Sequence, residues 1–397
     1  MNHTAEPRLG SRSLFPHLTA QIYLNHSAIS PLSQPVQERL QAVALDYARE
    51  GLGAYFIWRE EVARLKSRLA ALLGVTSSTE AIALTPNTTF GVMATALCYP
   101  WEAGDRVVVF RGEFPTNVTP WQQAAVLHGL EVTLQEVADF GTGLGLERLE
   151  AVLKEGRVRV VAVSAVQFQT GLRMPLEAMA HLCHAHGATL FVDAIQAVGI
   201  IPIDVEAMGI DVLTCGSHKW LMGPEGCGFL YIKPALAKRF RPHLAGWLSH
   251  EEPVAFLSQG AGHLRYDRPI RAQADFLEAG AANMLGLCAL SASVELLQQL
   301  DVATIYPHVS TWLDALEPAM VEMGFVSQRS PHPEQRSGIL SFAPPPGYTA
   351  AQLSGALSEH HRIACSTPDG LLRFAPHWPN HHDEVPQVIH AISQILA

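Results

Sequence analysis

The sequence predicts an α/β protein with a large domain built on a doubly wound, mainly parallel sheet and a smaller α+β domain at the C-terminus. Short apolar runs at residues 188–192, 212–215 and 228–232 are each bounded by turn residues, which is typical of buried strands. From residue 81 onward, strand patterns alternate with helix patterns, as in doubly wound sheets. After Ile232 this alternation is lost, which indicates the second, smaller domain.

The composition supports a large packed core and argues against several kinds of partner. The chain has 397 residues, of which 48% are hydrophobic and 16% are charged. This length suits two domains. The net charge is −10 and the lysines and arginines are scattered, which argues against nucleic acid or an anionic membrane as a partner. The apolar runs are all too short to span a membrane.

The cysteines and the N-terminal residues predict a reduced, cytoplasmic protein. The six cysteines lie far apart and form no CxxC motif, and the N-terminal residues contain no apolar stretch of the kind found in signal peptides. His181, His184 and His186 lie close together in the sequence but do not share one helix face, and no acidic ligand accompanies them. We therefore expect no metal site.

The elements are predicted in order along the chain. Residues 1–21 are polar and form an arm, and apolar residues at helical spacing then predict helices at residues 35–50 and 59–73. The other elements expected in the large domain are strands at 81–84, 106–110 and 158–163 and helices at 92–97 and 175–186. Those expected in the small domain are helices at 283–300, 350–358 and 384–396 and strands at 338–342 and 371–374. We assign residues 22–260 to the large domain, and residues 1–21 and 261–397 to the arm and the small domain.

Two charged residues stand at the ends of predicted strands. Asp193 ends the run at residues 188–192, and Lys219 follows the run at residues 212–215 in the sequence Ser-His-Lys. Open α/β sheets bind ligands at such strand ends. A carboxylate and a lysine suit pyridoxal phosphate, because the lysine forms a Schiff base with its aldehyde and the carboxylate pairs with its pyridinium nitrogen. The alternative is a simple salt bridge.

Three motifs around this pair resemble those of the class V aminotransferase family, whose members are fold-type I pyridoxal phosphate enzymes. They are VDAIQ at residues 192–196, GSHK at residues 216–219 and GPEG at residues 223–226. The resemblance covers residues 23–392 and is nearest to the isopenicillin-N-epimerase, kynureninase and cysteine desulfurase branches. It implies that pyridoxal phosphate is the cofactor, that Lys219 and Asp193 are catalytic, and that the substrate is an α-amino acid.

The resemblance also implies residues that hold the cofactor. Thr88 and Thr89 follow a predicted strand and begin a helix, where free N–H groups and the positive helix end attract a phosphate. Helix capping is the alternative role for both threonines. Phe114 occupies the position where desulfurases have a histidine that stacks on the cofactor ring, and it resembles the aromatic residue of the kynureninase and epimerase branches.

The remaining implied contacts are to the cofactor ring and the substrate. Gln196 is expected to bond the phenolic oxygen of the cofactor, and Ser217 and His218 to support its phosphate or ring, with structural roles as the alternative. Arg373 is expected to bind the substrate carboxylate through its planar, two-pronged guanidinium group. Asn25, in a loop that enters the site in this family, is a second candidate for substrate contact.

The family further implies a homodimer. Many relatives have a threonine at the position of Ala281 that reaches the phosphate bound by the neighbouring subunit, and an alanine cannot donate that bond. Cys365 lies near the position of the mobile catalytic cysteine of desulfurases, but in an apolar strand pattern, so we expect it to be structural.

Together these features predict an enzyme that acts on an α-amino acid through a carbanion. We expect C–S or Cβ lyase activity, or an epimerase-like reaction. Transamination is the first alternative and cysteine desulfuration the second. A non-catalytic binding or regulatory protein with the same fold is the alternative from a different class.

Overall fold

The computed structural model describes residues 6–397, in which strands and helices alternate between residues 82 and 193. The strands are β1 (Ile22–Tyr23), β2 (Ile82–Thr85), β3 (Arg106–Arg111), β4 (Glu131–Glu136), β5 (Val158–Ser164), β6 (Thr189–Asp193), β7 (Val212–Gly216), β8 (Gly228–Ile232), β9 (Val326–Ser327), β10 (Leu340–Ala343), β11 (Ile363–Ala364) and β12 (Leu372–Phe374). The helices are α1 (Gln34–Glu50), α2 (Leu52–Leu72), α3 (Thr88–Cys98), α4 (Thr119–His128), α5 (Ala138–Gly141), α6 (Gly145–Lys154), α7 (Leu176–Ala185), α8 (Pro234–Ala237), α9 (Ala255–Ser258), α10 (Met284–Leu300), α11 (Val302–Glu322), α12 (Ala350–His361) and α13 (Glu384–Leu396).

A seven-stranded sheet forms the centre of the large domain, in the order β2–β8–β7–β6–β5–β3–β4. The strands from β4 to β7 run parallel, while β8 pairs antiparallel with both β7 and β2. Every residue of β6, β7 and β8 is buried, which explains why these strands read as continuous apolar runs. The predicted α/β fold with a mainly parallel sheet is confirmed.

A smaller antiparallel sheet, β12–β10–β9, lies in the C-terminal part with α11, α12 and α13. The N-terminal segment joins this part of the molecule, since β1 pairs in parallel with β11 and Asn25 pairs with Ala375. The segment before α1 therefore packs with the small sheet, and our division at residue 260 stays a prediction. The first five residues of the predicted arm lie outside the described residues.

Three of the differences from the sequence prediction have a clear physical reason. Helix α2 begins at Leu52 and not at residue 59 as predicted. Its first turns were missed because they carry exposed apolar residues, which obscure the helical pattern. Helix α11 was not predicted because it contains Pro307 and Pro318, although its buried face, which includes Trp312, supports it. Strand β4 was not predicted because it is a half-exposed edge strand. Within residues 6–397, none of the helices combines the length and apolar character needed to cross a membrane.

Candidate active site

Lys219 lies among charged groups at the carboxyl edge of the large sheet, after β7. Burial lowers the pKa of its amine to about 8; the carboxylate of Asp193 opposes this shift and the guanidinium of Arg373 adds to it. Both groups therefore lie near the amine, although Arg373 belongs to the small sheet. A lysine held at this pKa is neutral in a sizeable fraction near neutral pH, as a nucleophile or a general base requires.

Asp193 is the last residue of β6 and is 3% exposed. One carboxylate oxygen accepts the N–H of Ile195 at 3.0 Å. Burial raises its pKa to about 6, against opposing effects of the Ile195 bond and Lys219. Because a buried carboxylate is most stable beside a cation, this geometry fits a protonated ring nitrogen as its partner.

The start of helix α3 has the features that an anion site requires. Asn87 caps the helix by accepting the N–H of Phe90 at 2.8 Å. The N–H groups of the first helical residues have no acceptor within the helix. The hydroxyl oxygen of Thr88 is buried and has no hydrogen-bond partner within residues 6–397. Thr89, exposed beside it, bonds to Thr116 at 2.7 Å. An unpartnered buried hydroxyl at a helix N-terminus fits a phosphate group.

Gly216 keeps this anion site open. A Cβ atom built there would lie 3.1 Å from the Thr88 hydroxyl oxygen and 3.5 Å from Cε1 of His218. The His218 ring is thus adjacent to the start of α3, and burial, then Lys219, lowers its pKa. These contacts fit a phosphate held between Thr88 and His218, and that assignment stays a prediction.

Arg373 is a buried arginine without an acidic partner. It is 5% exposed, and none of the salt bridges within residues 6–397 includes it. Its guanidinium donates to the hydroxyl of Ser366 at 3.0 Å and to the carbonyl of Phe168 at 2.6 Å. Burial lowers its pKa to about 10. A desolvated guanidinium with only neutral acceptors fits a carboxylate supplied by a ligand.

Two phenylalanines bound the space between Lys219 and Arg373. The centroid of the Phe114 ring lies 5.8 Å from Nζ of Lys219, and the residue is half exposed. Phe114 packs edge to face on Phe168, with ring centroids 5.4 Å apart. A flat aromatic cofactor ring beside Lys219 is therefore within reach of the Phe114 face.

Ser217 is engaged in the turn that leads to β8. It is fully buried, and its hydroxyl donates to the carbonyl of Pro224. This bond supports the structural alternative, and the predicted contact of Ser217 with the phosphate or ring stays a prediction. Gln196 is also engaged, since it donates to the carbonyl of Ser27 at 3.0 Å and accepts the indole N–H of Trp220 at 2.8 Å. Its contact with the cofactor stays a prediction.

Asn25 lies at the same edge as Arg373. It forms a bridge with Ala375, two residues beyond Arg373, and its side-chain oxygen is buried with no hydrogen-bond partner in the described chain. This unpartnered acceptor is available to the amino group of a ligand, and substrate contact by Asn25 stays a prediction.

Several residues that support the site were missed at the sequence level. Ser30 donates to the carbonyl of Lys219 at 2.6 Å across 189 residues, and the Ser30 hydroxyl also bonds to His26 at 2.8 Å. Such long-range contacts have no local sequence signal. Glu113, which bonds to Ser164, had such a signal, because it is an acidic residue in the short segment between a predicted strand and Phe114.

The sequence matches the family Aminotransferase class-V over residues 22–371. The chain belongs to this family. An uncharacterized aminotransferase, YcbU, from Bacillus subtilis is 25% identical over 97% of this chain and 96% of its own length. A cysteine desulfurase from Klebsiella pneumoniae is 30% identical over 75% of this chain and 71% of its own length.

Solved structures of low sequence identity share the fold. The apo cysteine desulfurase from Thermococcus onnurineus superposes with a TM-score of 0.83 at 22% identity and covers 94% of both chains. The cystine C-S lyase C-DES, in complex with cysteine persulfide, gives a TM-score of 0.84 at 21% identity over 96% of this chain and 99% of that chain. This class V enzyme is thus a fold-type I protein. Its membership of the class V family gives pyridoxal phosphate as its cofactor.

Proposed function

We propose that this enzyme is a lyase that cleaves the Cβ–S bond of a cysteine-type α-amino acid. The observation that carries the proposal is the state of its cysteines. Cys98, Cys183, Cys215, Cys227 and Cys288 are buried. Desulfurases take sulfur onto an accessible thiolate, so an enzyme without one releases the sulfur to solvent in its product.

Cys365 is the cysteine with most access to solvent, and its surroundings do not suit a sulfur acceptor. Its thiol lies 3.4 Å from the hydroxyl of Ser354, and burial raises its pKa to about 11. The sequence predicted Cys365 within a strand, but it lies directly after β11. The thiolate fraction at neutral pH is therefore very small, which supports a structural role.

The residues of the site suit the first step of a lyase reaction. Arg373 would bind the α-carboxylate and so orient the substrate relative to the plane of the cofactor ring, beside which Phe114 lies. Thr88 and His218 would hold the cofactor phosphate, and Asp193 would keep a proton on its ring nitrogen. When bound, pyridoxal phosphate supplies an electron sink for the α-carbon of the substrate.

Lys219 carries the proton in this proposal. Its neutral amine takes the proton from the α-carbon, after which the Cβ–S bond breaks and the sulfur leaves with the bonding electrons. The proton on Lys219 is then available to the leaving sulfur. Water completes the reaction, so the products are a 2-oxo acid, ammonia and a thiol or sulfide, without any external oxidant or reductant.

A homodimer is part of the proposal. Leu52, Phe56 and Ile57, at the start of α2, are 73%, 53% and 56% exposed, which is more than isolated chains usually show for neighbouring large apolar residues. Trp247 and Phe256, which pack together at 6.3 Å, are also exposed. A second copy of the chain would cover such surfaces.

The cytoplasmic location stays a prediction.

Product analysis tests the proposed reaction. We would incubate the pyridoxal phosphate-loaded enzyme with cysteine, cystine, S-alkylcysteines and alanine, with and without an added 2-oxo acid. A lyase gives pyruvate and ammonia without the added acid, whereas product that requires it would establish the transaminase suggested by the name of the Bacillus relative. Lys219→Ala should abolish either reaction, and Lys238→Ala, an exposed lysine, is the matched control.

A further inference from the structure

Glu113 is a partly buried carboxyl group to which the proposed reaction assigns no role. It lies in the loop after β3, directly before Phe114, and both its oxygens bond to Ser164. One accepts the backbone N–H of Ser164 at 2.6 Å, and the other bonds to the Ser164 hydroxyl. Since Ser164 is the last residue of β5, these two bonds tie the Phe114 loop to a central strand.

Glu113 also lies close to Asp193. Ser164 and Asp193 are register partners on the adjacent strands β5 and β6. Burial, and secondarily the charge of Asp193, raise the pKa of Glu113 to about 7, while bonds from Ser164 and Asn117 lower it. Asp193 is thus the titratable group that faces Glu113, and Ser164 and Asn117 are its neutral neighbours. Two carboxyl groups so placed do not both ionise readily.

We propose that Glu113 is a positioning residue of the active site and that it works in its protonated state. Its bridge to Ser164 holds Phe114 in place beside Lys219. Because Glu113 stays protonated and neutral, Asp193 is the carboxyl group at this end of the site that carries the negative charge. Asp193 needs that charge to pair with the ring nitrogen.

The two bonds are compatible with a protonated Glu113. One carboxyl oxygen accepts the Ser164 N–H, and the other is paired with the Ser164 hydroxyl, which can donate to an ionised carboxylate or accept the proton of a carboxylic acid. An ionised Glu113 would keep both bonds but would place a second anion near Asp193. The loss of the proton therefore changes the charge of the site without breaking the bridge.

Glu113→Gln tests the role because the amide reproduces the protonated group. Its oxygen accepts from the Ser164 N–H and its NH2 donates to the hydroxyl. Glu113→Ala removes both bonds. At pH 6.5 we expect kcat/KM of Glu113→Gln within threefold of wild type and that of Glu113→Ala at least tenfold lower. Above pH 7 wild type should lose activity relative to Glu113→Gln. Glu147→Gln, at an exposed glutamate of α6, is the control.

A second readout is the stability of the protein, which needs neither cofactor nor substrate. The role of Glu113 rests on the proposed lyase function only for the choice of substrate in the kinetic test. The stability test can therefore fail or succeed independently of the lyase proposal. Because the folded-state pKa of Glu113 is raised, its contribution to stability is present below its unfolded pKa and is lost as the pH rises through about 7. The unfolding free energy of the apoenzyme should fall less between pH 5 and 8 in Glu113→Gln than in wild type. Three outcomes would overturn the proposal. The first is a pH dependence of both stability and kcat/KM that is the same in Glu113→Gln as in wild type. The others are a tenfold loss of kcat/KM at every pH in Glu113→Gln, and wild-type activity of Glu113→Ala.

Discussion

Arg373 donates a hydrogen bond to the carbonyl of Phe168 at 2.6 Å, and so joins a strand of the small sheet to the loop after β5. The same guanidinium is held by Ser366 at its Nε atom. Both partners are neutral, so the arginine is fixed in position while its charge is uncompensated. The carboxylate site proposed at Arg373 is thus formed before a substrate arrives, which would lower the cost of binding.

Arg373→Ala should lower kcat/KM for amino-acid substrates by about a hundredfold, which corresponds to about 2.7 kcal/mol. The loss should fall mainly on KM, because the arginine binds a carboxylate that does not react. Steady-state kinetics of the cofactor-loaded variant measures this, with Arg239→Ala, at an exposed arginine, as control. Equal loss with a substrate analogue that lacks the carboxylate would assign Arg373 a structural role.

Lys219 should be the residue that binds the cofactor covalently. Borohydride reduction followed by peptide mass spectrometry should find the label on this lysine. Turnover should rise with pH through about 8, because the neutral form of the amine accepts the α-proton. A label on a different lysine would disprove the assignment.

Asp193→Asn should retain the cofactor and lower kcat at least a hundredfold, since a neutral amide does not stabilise a proton on the ring nitrogen. Cofactor content is read from absorbance and kcat from product formation. Asp267→Asn, at an exposed carboxylate, is the matched control. Unchanged turnover in Asp193→Asn would leave the residue a structural carboxylate.

Cys365→Ala should keep activity within about twofold of wild type, because the thiol is protonated at neutral pH and bonds to Ser354. Incubation with cysteine should leave no persulfide on the protein, as measured by mass spectrometry before and after reduction. A persulfide on Cys365 that disappears in the variant would make the enzyme a desulfurase.

His377 should make the protein less stable in acid. Burial lowers its pKa to about 4, and its ring bonds to the carbonyl of Trp220 at 2.9 Å and the N–H of Trp378 at 2.8 Å. Because the unfolded chain binds this proton more readily, stability should fall as the pH drops from about 6.5 toward 4. His377→Asn should reduce that dependence in urea titrations, even though it lowers stability at pH 7.

The central sheet could be predicted because its information is local. Strands β6, β7 and β8 are each a short apolar run between turn residues, and the predicted α10 and α13 match their observed bounds within one residue. The positions of Lys219 and Asp193 at adjacent strand ends follow from the same pattern. Fold and cofactor class are therefore readable from the sequence.

The supporting contacts of the site could not be predicted, for a physical reason. The pairing of Ser30 with Lys219, and of Arg373 with Phe168, depends on how distant segments pack, and 205 residues separate the latter pair. The bond from the Ser217 hydroxyl to the carbonyl of Pro224 is likewise a feature that its motif position does not indicate. Helix α11 shows that a buried apolar face outweighs two prolines.

The pairing of β1 with β11 has a consequence for biosynthesis. Asn380 donates to the carbonyl of Tyr23 at 3.1 Å, and the two residues are 357 positions apart. As the chain leaves the ribosome, β1 has no partner until β11 has been translated, whereas the strands of the central sheet have all been made by β8. Arg373, in β12, follows β11. A nascent chain thus acquires its central sheet and Lys219 before β1 and Arg373 can take their places beside them.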